Sequence, residues 1–337
     1  MGEQMVSKIR QSLLASLSAH QDTYVSGQQL AEESGCSRTA IWKHIEELRG
    51  DGFSIESKRK KGYRLIGRSD LLTENDILLG LETKTLGRNV IYFDSVDSTQ
   101  KIAHKLAQEQ APEGTLVIAE EQVTGRGRMA RPWHSPKGTG IWMSLLLKPT
   151  LPPQKAPQFT LIAAVAVVQA IHDVSGIQVE IKWPNDLLVH GRKLTGILTE
   201  LQADSEQIHS LIIGIGMNIN QQKEDFPDEL SSIATSLAIE KGELISRAAI
   251  VQRVMYHLER YYDIYMNKGF APIKLLWESY AISIGKNITA RTLNGTLTGV
   301  ASGITDDGVL LLEDSEGTIH PIYSADIELN LNDREKK

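Results

Sequence analysis

The chain reads SGQQLAEESGCSRTAIWKHIEEL from residue 26 to residue 48. Ser26 and Ser37 each precede a run whose apolar residues recur at helical spacing, and serine is a preferred residue immediately before a helix. The three residues between the two runs are centred on Gly35, which suits a tight turn. Two short helices joined by a three-residue glycine turn have the spacing of a helix-turn-helix. We therefore predict this motif near the start of the chain.

The flanking segments extend the motif into a small domain. Upstream, the apolar residues from Ile9 to Leu17 recur at helical spacing and predict a first helix. Downstream, residues 53–65 alternate apolar and polar side chains around a basic turn at residues 58–61, which predicts a β-hairpin that lies along a phosphate backbone as a wing. The sequence therefore predicts a winged helix-turn-helix DNA-binding domain over residues 1–66.

The charge distribution agrees with a DNA contact in this domain. Residues 1–68 carry 11 Lys and Arg against 8 Asp and Glu, although the whole chain has a net charge of −6. Phosphate contacts act over about one Debye length, so the local charge matters more than the total. A three-helix domain that contacts another protein is the alternative. The residues predicted to contact DNA are Ser37, Arg38, Thr39, Lys43 and His44 in the recognition helix and Lys58, Arg59, Lys60 and Lys61 in the wing.

Composition places the chain among globular proteins. It has 337 residues, of which 41% are apolar and 23% charged, as is ordinary for two or three soluble domains. We find no run of about 18 apolar residues and no signal-peptide pattern, and we expect a cytoplasmic protein. The single cysteine, Cys36, excludes an internal disulfide, and the histidines lack the spacing of a zinc motif.

The pattern changes beyond residue 73. Helices and strands then follow one another in an order that predicts an α+β domain with a mixed or antiparallel sheet. The polar residues 67–70 mark the boundary before it. In the last fifty residues, short strands alternate with turn signatures such as Asn294-Gly295 and Asp307-Gly308, which predict a small β-barrel. The predicted domains are residues 1–66, 67–282 and 283–337.

Residues 125–128 of the middle domain read Gly-Arg-Gly-Arg. Arginine presents a planar fork that fits phosphate oxygens, and glycine lets the backbone approach a ligand. Gly125-x-Gly127-x-x-Ala130 formally fits the dinucleotide fingerprint, but Arg131-Pro132 breaks the helix that this fingerprint requires. We therefore predict an anion-binding loop outside a Rossmann fold, with a solvated basic turn as the alternative.

A second charged segment, Lys182-Trp-Pro-Asn-Asp186, lies about sixty residues further on. Proline fixes the turn, so the lysine can face a phosphate while the carboxylate faces Mg²⁺ or a ribose hydroxyl. Lys193 follows in the same hairpin, and Gly196 allows close backbone approach. A surface ion pair is the alternative. We predict that four cations share one pocket: Arg126, Arg128, Lys182 and Lys193.

Taken together, these segments resemble the biotin protein ligase family, and specifically its bifunctional bacterial members, which also repress the biotin operon. The segments that carry the resemblance are residues 97–100 (DSTQ), Gln122, 124–128 (TGRGR), 131–133 (RPW), 182–186 (KWPND), 192–198 (RKLTGIL) and 214–218 (GIGMN). The resemblance implies a central α/β domain like that of class II aminoacyl-tRNA synthetases, with a mixed sheet, and an SH3-like carboxy-terminal barrel. One departure is Met129-Ala130, where the family commonly has a basic residue and a glycine.

The resemblance also implies residue roles. The implied biotin-binding residues are Ser98, Thr99, Gln100, Gln122, Arg126, Gly127, Arg128, Lys193 and Gly196. The implied ATP- or adenylate-binding residues are Arg128, Arg131, Trp133, Lys182, Asn185, Asp186 and Asn218, with Asp186 also facing Mg²⁺. The implied catalytic residues are Arg126, Arg128, Lys182 and Lys193.

The implied activity is ATP-dependent formation of biotinoyl-5′-AMP and transfer of biotin to a lysine of a carboxylase carrier domain. The implied partners are biotin carboxyl carrier protein and other biotin-dependent carboxylases, operator DNA, and a second copy of the chain when the adenylate is bound. Two alternatives remain open: a ligand-sensing repressor without ligase activity, and a lipoate-protein ligase.

Overall fold

The computed structural model describes residues 2–20, 23–50, 53–67, 72–293 and 295–329. The predicted break after residue 67 and the turn residue Asn294 fall outside these ranges. The chain forms two compact units, Met1–Leu81 with Ser246–Ala248, and Glu82–Ile245 with Ala249–Lys337. The predicted domain boundaries stay predictions.

The first unit contains four helices and a hairpin within its described residues. These are α1 (Gly2–Ala19), α2 (Gly27–Ser34), α3 (Arg38–Gly50), β1 (Ser54–Lys58), β2 (Gly62–Gly67) and α4 (Glu74–Leu78). The caps are those expected from the sequence. Ser26 Oγ accepts from the Gln29 amide at 3.1 Å, Ser37 Oγ accepts from the Ala40 amide at 3.2 Å, and Gly35 adopts a left-handed φ of 63° between the helices. The predicted winged helix-turn-helix is confirmed.

The hairpin is attached to the helices through Val25. Its amide donates to the Tyr63 carbonyl at 2.8 Å, and the Tyr63 amide donates back at 2.9 Å. Gly62 makes this approach possible, because it has a φ of 112° and a Cβ there would lie 2.0 Å from the Val25 carbonyl oxygen. The wing is therefore held at a fixed place beside the helices.

The second unit is built on a seven-stranded sheet with the order β3-β4-β5-β9-β8-β7-β6. Its strands are β3 (Asn89–Phe93), β4 (Thr115–Ala119), β5 (Gly140–Leu147), β6 (Glu180–Lys182), β7 (Asp186–Val189), β8 (Arg192–Ala203) and β9 (Ile208–Asn218). Only β3 and β4 pair in parallel. The predicted mixed, mainly antiparallel sheet is confirmed.

Helices pack on both faces of this sheet. The helices that follow β3 in the chain are α5 (Thr99–Gln108), α6 (Ala156–Ser175), α7 (Asp228–Ser231), α8 (Leu237–Lys241), α9 (Arg247–Lys268) and α10 (Ala271–Tyr280), of which α5, α6 and α10 contact the sheet. Helix α5 packs Ala103 and Ala107 against Leu146 and Ile212 on one face. On the other face, Thr160 of α6 bonds to Thr199. The short helices α7 and α8 were not predicted.

One segment, Pro153–Ser175, is long and apolar enough to cross a membrane by length and composition. It contains α6, and 72% of its most apolar window is buried inside the protein. An apolar helix buried in this way is a core helix, because its hydrophobic surface is already covered by the sheet and by α10.

The carboxy-terminal part of the second unit is an antiparallel sheet of five strands with the order β13-β12-β11-β10-β14. The strands are β10 (Asn287–Thr292), β11 (Gly295–Ile304), β12 (Leu310–Glu313), β13 (Ile319–Ile322) and β14 (Asp326–Leu329). Strands β10 to β13 correspond to the short strands predicted for the last fifty residues, whereas β14 was not predicted. It proves important because Asp326, its first residue, reaches the candidate site.

Candidate active site and DNA-binding face

The sheet register aligns one row of residues across four strands. Lys182 pairs with Asp186, Asp186 with Gly196, and Gly196 with Gly216. Directly paired residues point to the same face of an antiparallel sheet. Gly196 and Gly216 leave that face without side chains, and the indole of Trp133 lies over this glycine floor. A Cβ on Gly216 would be 2.4 Å from Trp133 Nε1, and one on Gly196 would be 3.0 Å from the ring.

A buried hydrogen-bond network forms the neighbouring part of the cavity. Gln122 Oε1 accepts from the Thr99 amide at 2.9 Å and from the Thr99 hydroxyl at 3.1 Å. The Thr99 and Ser144 hydroxyls lie 2.9 Å apart, and Ser144 donates to Gln100 Oε1 at 2.9 Å. Gln100 sits over Gly214, where a Cβ would be 2.5 Å from Oε1. Because these side chains fix one another, they form a preorganised polar wall.

Ser98 occupies the position immediately before α5. Its backbone is extended, as in an N-cap, but its side chain makes no capping hydrogen bond. The side chain is nevertheless buried and lines the cavity. Ser98 therefore lines the cavity without capping the start of the helix.

Lys193 lies between an acid and an aromatic ring. Its Nζ is 2.7 Å from Asp186 Oδ1 and 5.2 Å from the centre of the Trp133 ring. The backbone of Lys193 is fixed as well, since its amide donates to Ile233 and its carbonyl accepts from Thr235. The lysine is therefore held by both main chain and side chain at the edge of the glycine floor.

Arg128 reaches from the glycine loop to two other parts of the unit. It donates to Asn185 Oδ1 at 3.2 Å and to Ser324 Oγ at 2.7 Å. Burial lowers the pKa of the Arg128 guanidinium, although the charges of Asp186 and Asp326 oppose the shift. Because burial disfavours the charged form, a bound anion would be favoured beside this guanidinium.

The other two loop arginines are paired with acids. Arg126 donates to Glu200 at 3.3 Å, and Arg131 donates to Asp326 at 2.6 Å. The hydrogen bond from Arg131 is the main cause of the lowered pKa of Asp326. Between them, Met129 and Ala130 both have positive φ values of 54° and 56°. The loop thus adopts a left-handed turn at the two positions where the sequence departs from the family pattern.

Most of the predicted ligand residues line this one cavity. They are Ser98, Thr99, Gln100, Gln122, Arg126, Gly127, Arg128, Arg131, Trp133, Asn185, Asp186, Lys193 and Gly196. Lys182 and Asn218 are outside the lining. Lys182 lies across the hairpin from Asp186 on the same face. Asn218 lies two residues beyond Gly216 on β9 and accepts a hydrogen bond from Gln221. The cavity therefore gathers three of the four predicted cations.

Sequence reasoning missed three of the lining residues. Met143 and Ser144 lie on β5, and Asp326 begins β14. Ser144 is a lone polar residue in the apolar run of residues 141–147, which is a recognisable signal for a buried polar contact. Asp326 carries no such signal, because only the packing of the carboxy-terminal sheet brings it to the cavity.

A dedicated metal centre is not found in the described ranges, which contain no group of three or more His, Cys, Asp or Glu that could hold an ion. Two carboxylates line the cavity: Asp326, which pairs with Arg131, and Asp186, the predicted Mg²⁺ ligand, whose Oδ1 lies 2.7 Å from Lys193 Nζ. One carboxylate fits Mg²⁺ that arrives with a nucleotide, because this ion usually takes one or two carboxylates together with substrate phosphates and water.

The first unit presents a separate polar surface on α3. Arg38, Thr39 and Lys43 are exposed, as is Ser37 at the helix start. The expectation that His44 is exposed is wrong, because its side chain is buried and its Nδ1 lies 3.0 Å from Glu47. His44 follows Ile41 by three residues and therefore falls on the inward face of the helix.

The wing carries its basic residues in the open. Residues 58–61 are all exposed. In the strands next to the tip, Arg64 donates to Glu56 at 2.8 Å and lies over the Tyr24 ring at 5.0 Å, and Lys58 Nζ lies 5.9 Å from the centre of the same ring. The wing therefore has anchored strands and an exposed basic tip, an arrangement that suits a phosphate contact.

Comparison with known proteins agrees with this architecture. A model of the biotin/lipoate A/B protein ligase family matches residues 92–218, an HTH domain model matches residues 10–64, and a model of the biotin protein ligase C-terminal domain matches residues 283–330. The chain is 57% identical over 325 residues to the bifunctional ligase/repressor BirA of Bacillus subtilis strain 168, covering 96% of this chain and 100% of that protein.

More distant proteins show the same relationship. The bifunctional ligase/repressor BirA of Escherichia coli K12 is 30% identical over 305 residues, covering 90% of this chain and 92% of that protein. A solved biotin protein ligase from Aquifex aeolicus, in complex with biotin and ATP, superposes with a TM-score of 0.63 at 30% identity, covering 72% of this chain and 98% of that one.

Fold and site thus define a ligase of the biotin/lipoate protein ligase class that carries a helix-turn-helix domain. Within that class, the chain belongs to the family of bifunctional biotin ligase/repressors.

Proposed function

We propose that the chain activates biotin with ATP to form biotinoyl-5′-AMP and transfers the biotin to a lysine of a carboxylase carrier domain. The observation that carries the proposal is one cavity lined by Arg126, Arg128 and Lys193, in which the Trp133 ring lies over Gly196 and Gly216. Among the described residues, buried Trp133 Nε1 has no acceptor. This N–H faces the Gly216 side of the sheet, where the indole packs on the glycine backbone.

The first step is attack of the biotin carboxylate on the α-phosphorus of ATP, which forms the mixed anhydride and releases pyrophosphate. The charge to be stabilised lies on phosphoryl oxygens, and the arginine forks and the Lys193 ammonium are the donors for them. The polar wall of Thr99, Gln100 and Gln122 suits the fused-ring end of biotin, because it presents fixed amide and hydroxyl groups.

The second step is attack of a carrier lysine amine on the anhydride carbonyl, which forms the amide and releases AMP. The attacking amine loses a proton in this step. The protein needs no covalent nucleophile of its own for either step, so alignment and charge neutralisation are its contribution. Asp186 would hold Mg²⁺ together with the nucleotide phosphates, where the ion would neutralise phosphoryl charge. Lys182 and Asn218 would belong to the nucleotide end of the same site.

Replacing Lys193 with alanine tests the assignment. We expect Lys193→Ala to slow biotin-dependent exchange of pyrophosphate into ATP by about 30- to 1000-fold. This corresponds to an activation free energy raised by about 2–4 kcal/mol, because one electrostatic donor is lost. The matched control is Lys105→Ala, which removes an exposed lysine of α5 that pairs with Glu109. Unchanged exchange in Lys193→Ala would remove this lysine from the mechanism.

The substrate is tested directly by the mass of an acceptor domain after incubation with ATP, Mg²⁺ and either biotin or lipoate. Addition of biotin supports the proposal. Addition of lipoate would show a lipoate-protein ligase, and no addition with retained ligand binding would show a sensor without ligase activity.

We also propose that the first unit binds the operator of the biotin operon and that two copies of the chain associate when the adenylate is bound. Two recognition helices would then meet half-sites related by a two-fold axis. Carrier domains consume the adenylate, so scarce carrier would favour repression. The proposed location is the cytoplasm, where ATP, the carrier proteins and DNA occur together.

A further inference from the structure

The recognition helix carries a large aromatic side chain on its outer face. Helix α3 buries Ile41, His44, Ile45 and Leu48. The residues that lie opposite them are exposed: Arg38, Thr39, Trp42, Lys43 and Glu46. Trp42 is in the middle of this outer face, and its side chain is 58% exposed.

Nothing described in the first unit uses the Trp42 ring. The unit's core cluster of buried residues does not contain it. Within the described ranges the ring also makes no aromatic or cation–π contact. A tryptophan offers a large apolar area and a single N–H donor, and it stabilises a complex mainly by being buried in one. The position therefore favours an intermolecular role.

The charges beside Trp42 indicate what would cover it. Arg38 precedes it by one helical turn, and Lys43 follows it directly, with a side chain 73% exposed. Cations on both sides of an apolar ring match a DNA groove, where phosphates flank base edges that carry the thymine C5 methyl group. Glu46 is one turn further along and is already paired with Arg49 at 2.6 Å.

We propose that Trp42 is a specificity-determining residue whose indole packs on thymine C5 methyl groups in the major groove of the operator. The inference rests on the proposed operator binding. Arg38 and Lys43 contact phosphates or bases on either side of Trp42. The indole contacts the thymine methyl groups, which the two cations do not recognise. Truncation of the ring should therefore reduce selectivity rather than general attraction to DNA.

The test uses the full-length protein with biotin and ATP. Duplexes are first selected from a randomised pool by the wild-type protein, and affinities for the selected duplex and for its scrambled version are then compared. We expect Trp42→Ala to bind the selected duplex about 10- to 100-fold more weakly, in keeping with the discrimination that one base contact supplies. Affinity for the scrambled duplex and the salt dependence of binding should be unchanged. Trp42→Phe should retain part of the selectivity.

Replacing single thymines by deoxyuridine removes only the methyl group. At one or more positions this change should weaken binding by the wild-type protein and leave Trp42→Ala unaffected. Leu275→Ala is the matched control, because it removes another exposed apolar residue, 71% exposed, from α10. Adenylate formation and thermal unfolding of Trp42→Ala should match wild type, which separates a DNA role from a folding defect.

Three results would overturn the inference. An unchanged ratio of selected to scrambled affinity in Trp42→Ala would remove the residue from operator reading, and a changed oligomeric state in the same variant would assign the ring to a protein contact. The absence of any deoxyuridine effect that depends on Trp42 would refute the methyl contact. If the wild-type protein enriches no duplex at all, the proposed operator binding itself fails.

Discussion

Gly196 and Gly216 show how a missing side chain builds the site. They are neighbours across β8 and β9, and the space where two Cβ atoms would stand is occupied by the Trp133 ring. Lys193 then lies at the edge of that ring. The position of the aromatic surface therefore depends on the absence of atoms at two places in the sheet.

Gly216→Ala should disable the cavity without unfolding the protein. The new methyl group would lie 2.4 Å from Trp133 Nε1, so the ring must move. Overpacking of this kind costs about 1–3 kcal/mol, and we expect adenylate formation to fall by about 10- to 100-fold. Pyrophosphate exchange at several ATP concentrations measures the loss. Gly50→Ala is the control because nothing lies within 4 Å of its Cβ position; equal activity of the two variants would contradict the role of the glycine floor.

At the scale of elements, the contacts that attach the wing and the residues proposed to bind DNA are different parts of one hairpin. Its strands are fixed by the Val25–Tyr63 hydrogen bonds and by the contacts of Arg64 with Glu56 and Tyr24. The four basic residues 58–61 lie at the tip and are exposed. Changing the tip should therefore leave the fold of the unit intact.

Neutralising Lys58, Arg59, Lys60 and Lys61 to glutamine should reduce the salt dependence of DNA binding. Each phosphate contact that is lost lowers the slope of log K against log salt by about 0.9. Binding to any duplex should weaken, whereas the preference among duplexes should persist. Titrations between low and physiological salt provide the measurement, and an unchanged slope would exclude a phosphate contact by the wing.

Helices α6 and α9 are joined by a titratable pair in which His257 is buried and Asp173 is exposed. His257 Nε2 lies 2.8 Å from Asp173, which also accepts from Arg253 at 2.7 Å. Burial is the main cause of the lowered pKa of His257, and it outweighs the attraction of Asp173. The folded state therefore favours the neutral imidazole relative to the unfolded chain.

The second unit should consequently lose stability on acidification. A histidine whose pKa is lowered by folding contributes its stability above the unfolded value of about 6.5, and the contribution is lost as the pH falls through the folded value. We expect the urea midpoint to fall between pH 8 and pH 5.5. His257→Gln should show a smaller fall over the same range, and identical pH dependence in the two proteins would remove His257 as the cause.

At the scale of the whole molecule, one chain carries a proposed DNA-binding surface and a proposed ligase site. The basic residues of the first unit lie on α3 and the wing, whereas the cations of the second unit surround a cavity in its sheet. The proposed function requires that the adenylate in one unit changes the affinity of the other for DNA. Such a coupling is a difference in binding free energy between liganded and unliganded protein.

Operator affinity should therefore rise when biotin and ATP are both present. If the proposed dimer is the binding species, operator occupancy should also rise more steeply with protein concentration than it would for a monomer. A coupling of about 1–3 kcal/mol corresponds to about 5- to 150-fold. Lys193→Ala should lose the effect of biotin and ATP but keep its basal DNA affinity. Equal operator affinity with and without both ligands would refute the coupling.

The sequence by itself determined the elements whose signals are local. Ser26, Gly35 and Ser37 define the helix-turn-helix, because caps and a left-handed turn depend on residues next to one another in the chain. The alternation around residues 58–61 defined the hairpin in the same way. Residue type and spacing also predicted the glycine loop (residues 125–128) and the Lys182–Asp186 segment as parts of the site, because arginine, lysine and glycine side by side suit a bound anion.

Only the tertiary structure decided which of those residues meet. Strand register places Gly196 beside Gly216 and puts Trp133 over both, and packing of the last strand brings Asp326 to the cavity. The burial of His44 and the exposure of Trp42, by contrast, follow from helical spacing relative to Ile41, Ile45 and Leu48, which the prediction for His44 did not apply. The physical reason is that a contact between distant residues depends on the register and packing of whole elements, and no local pattern in the chain encodes either.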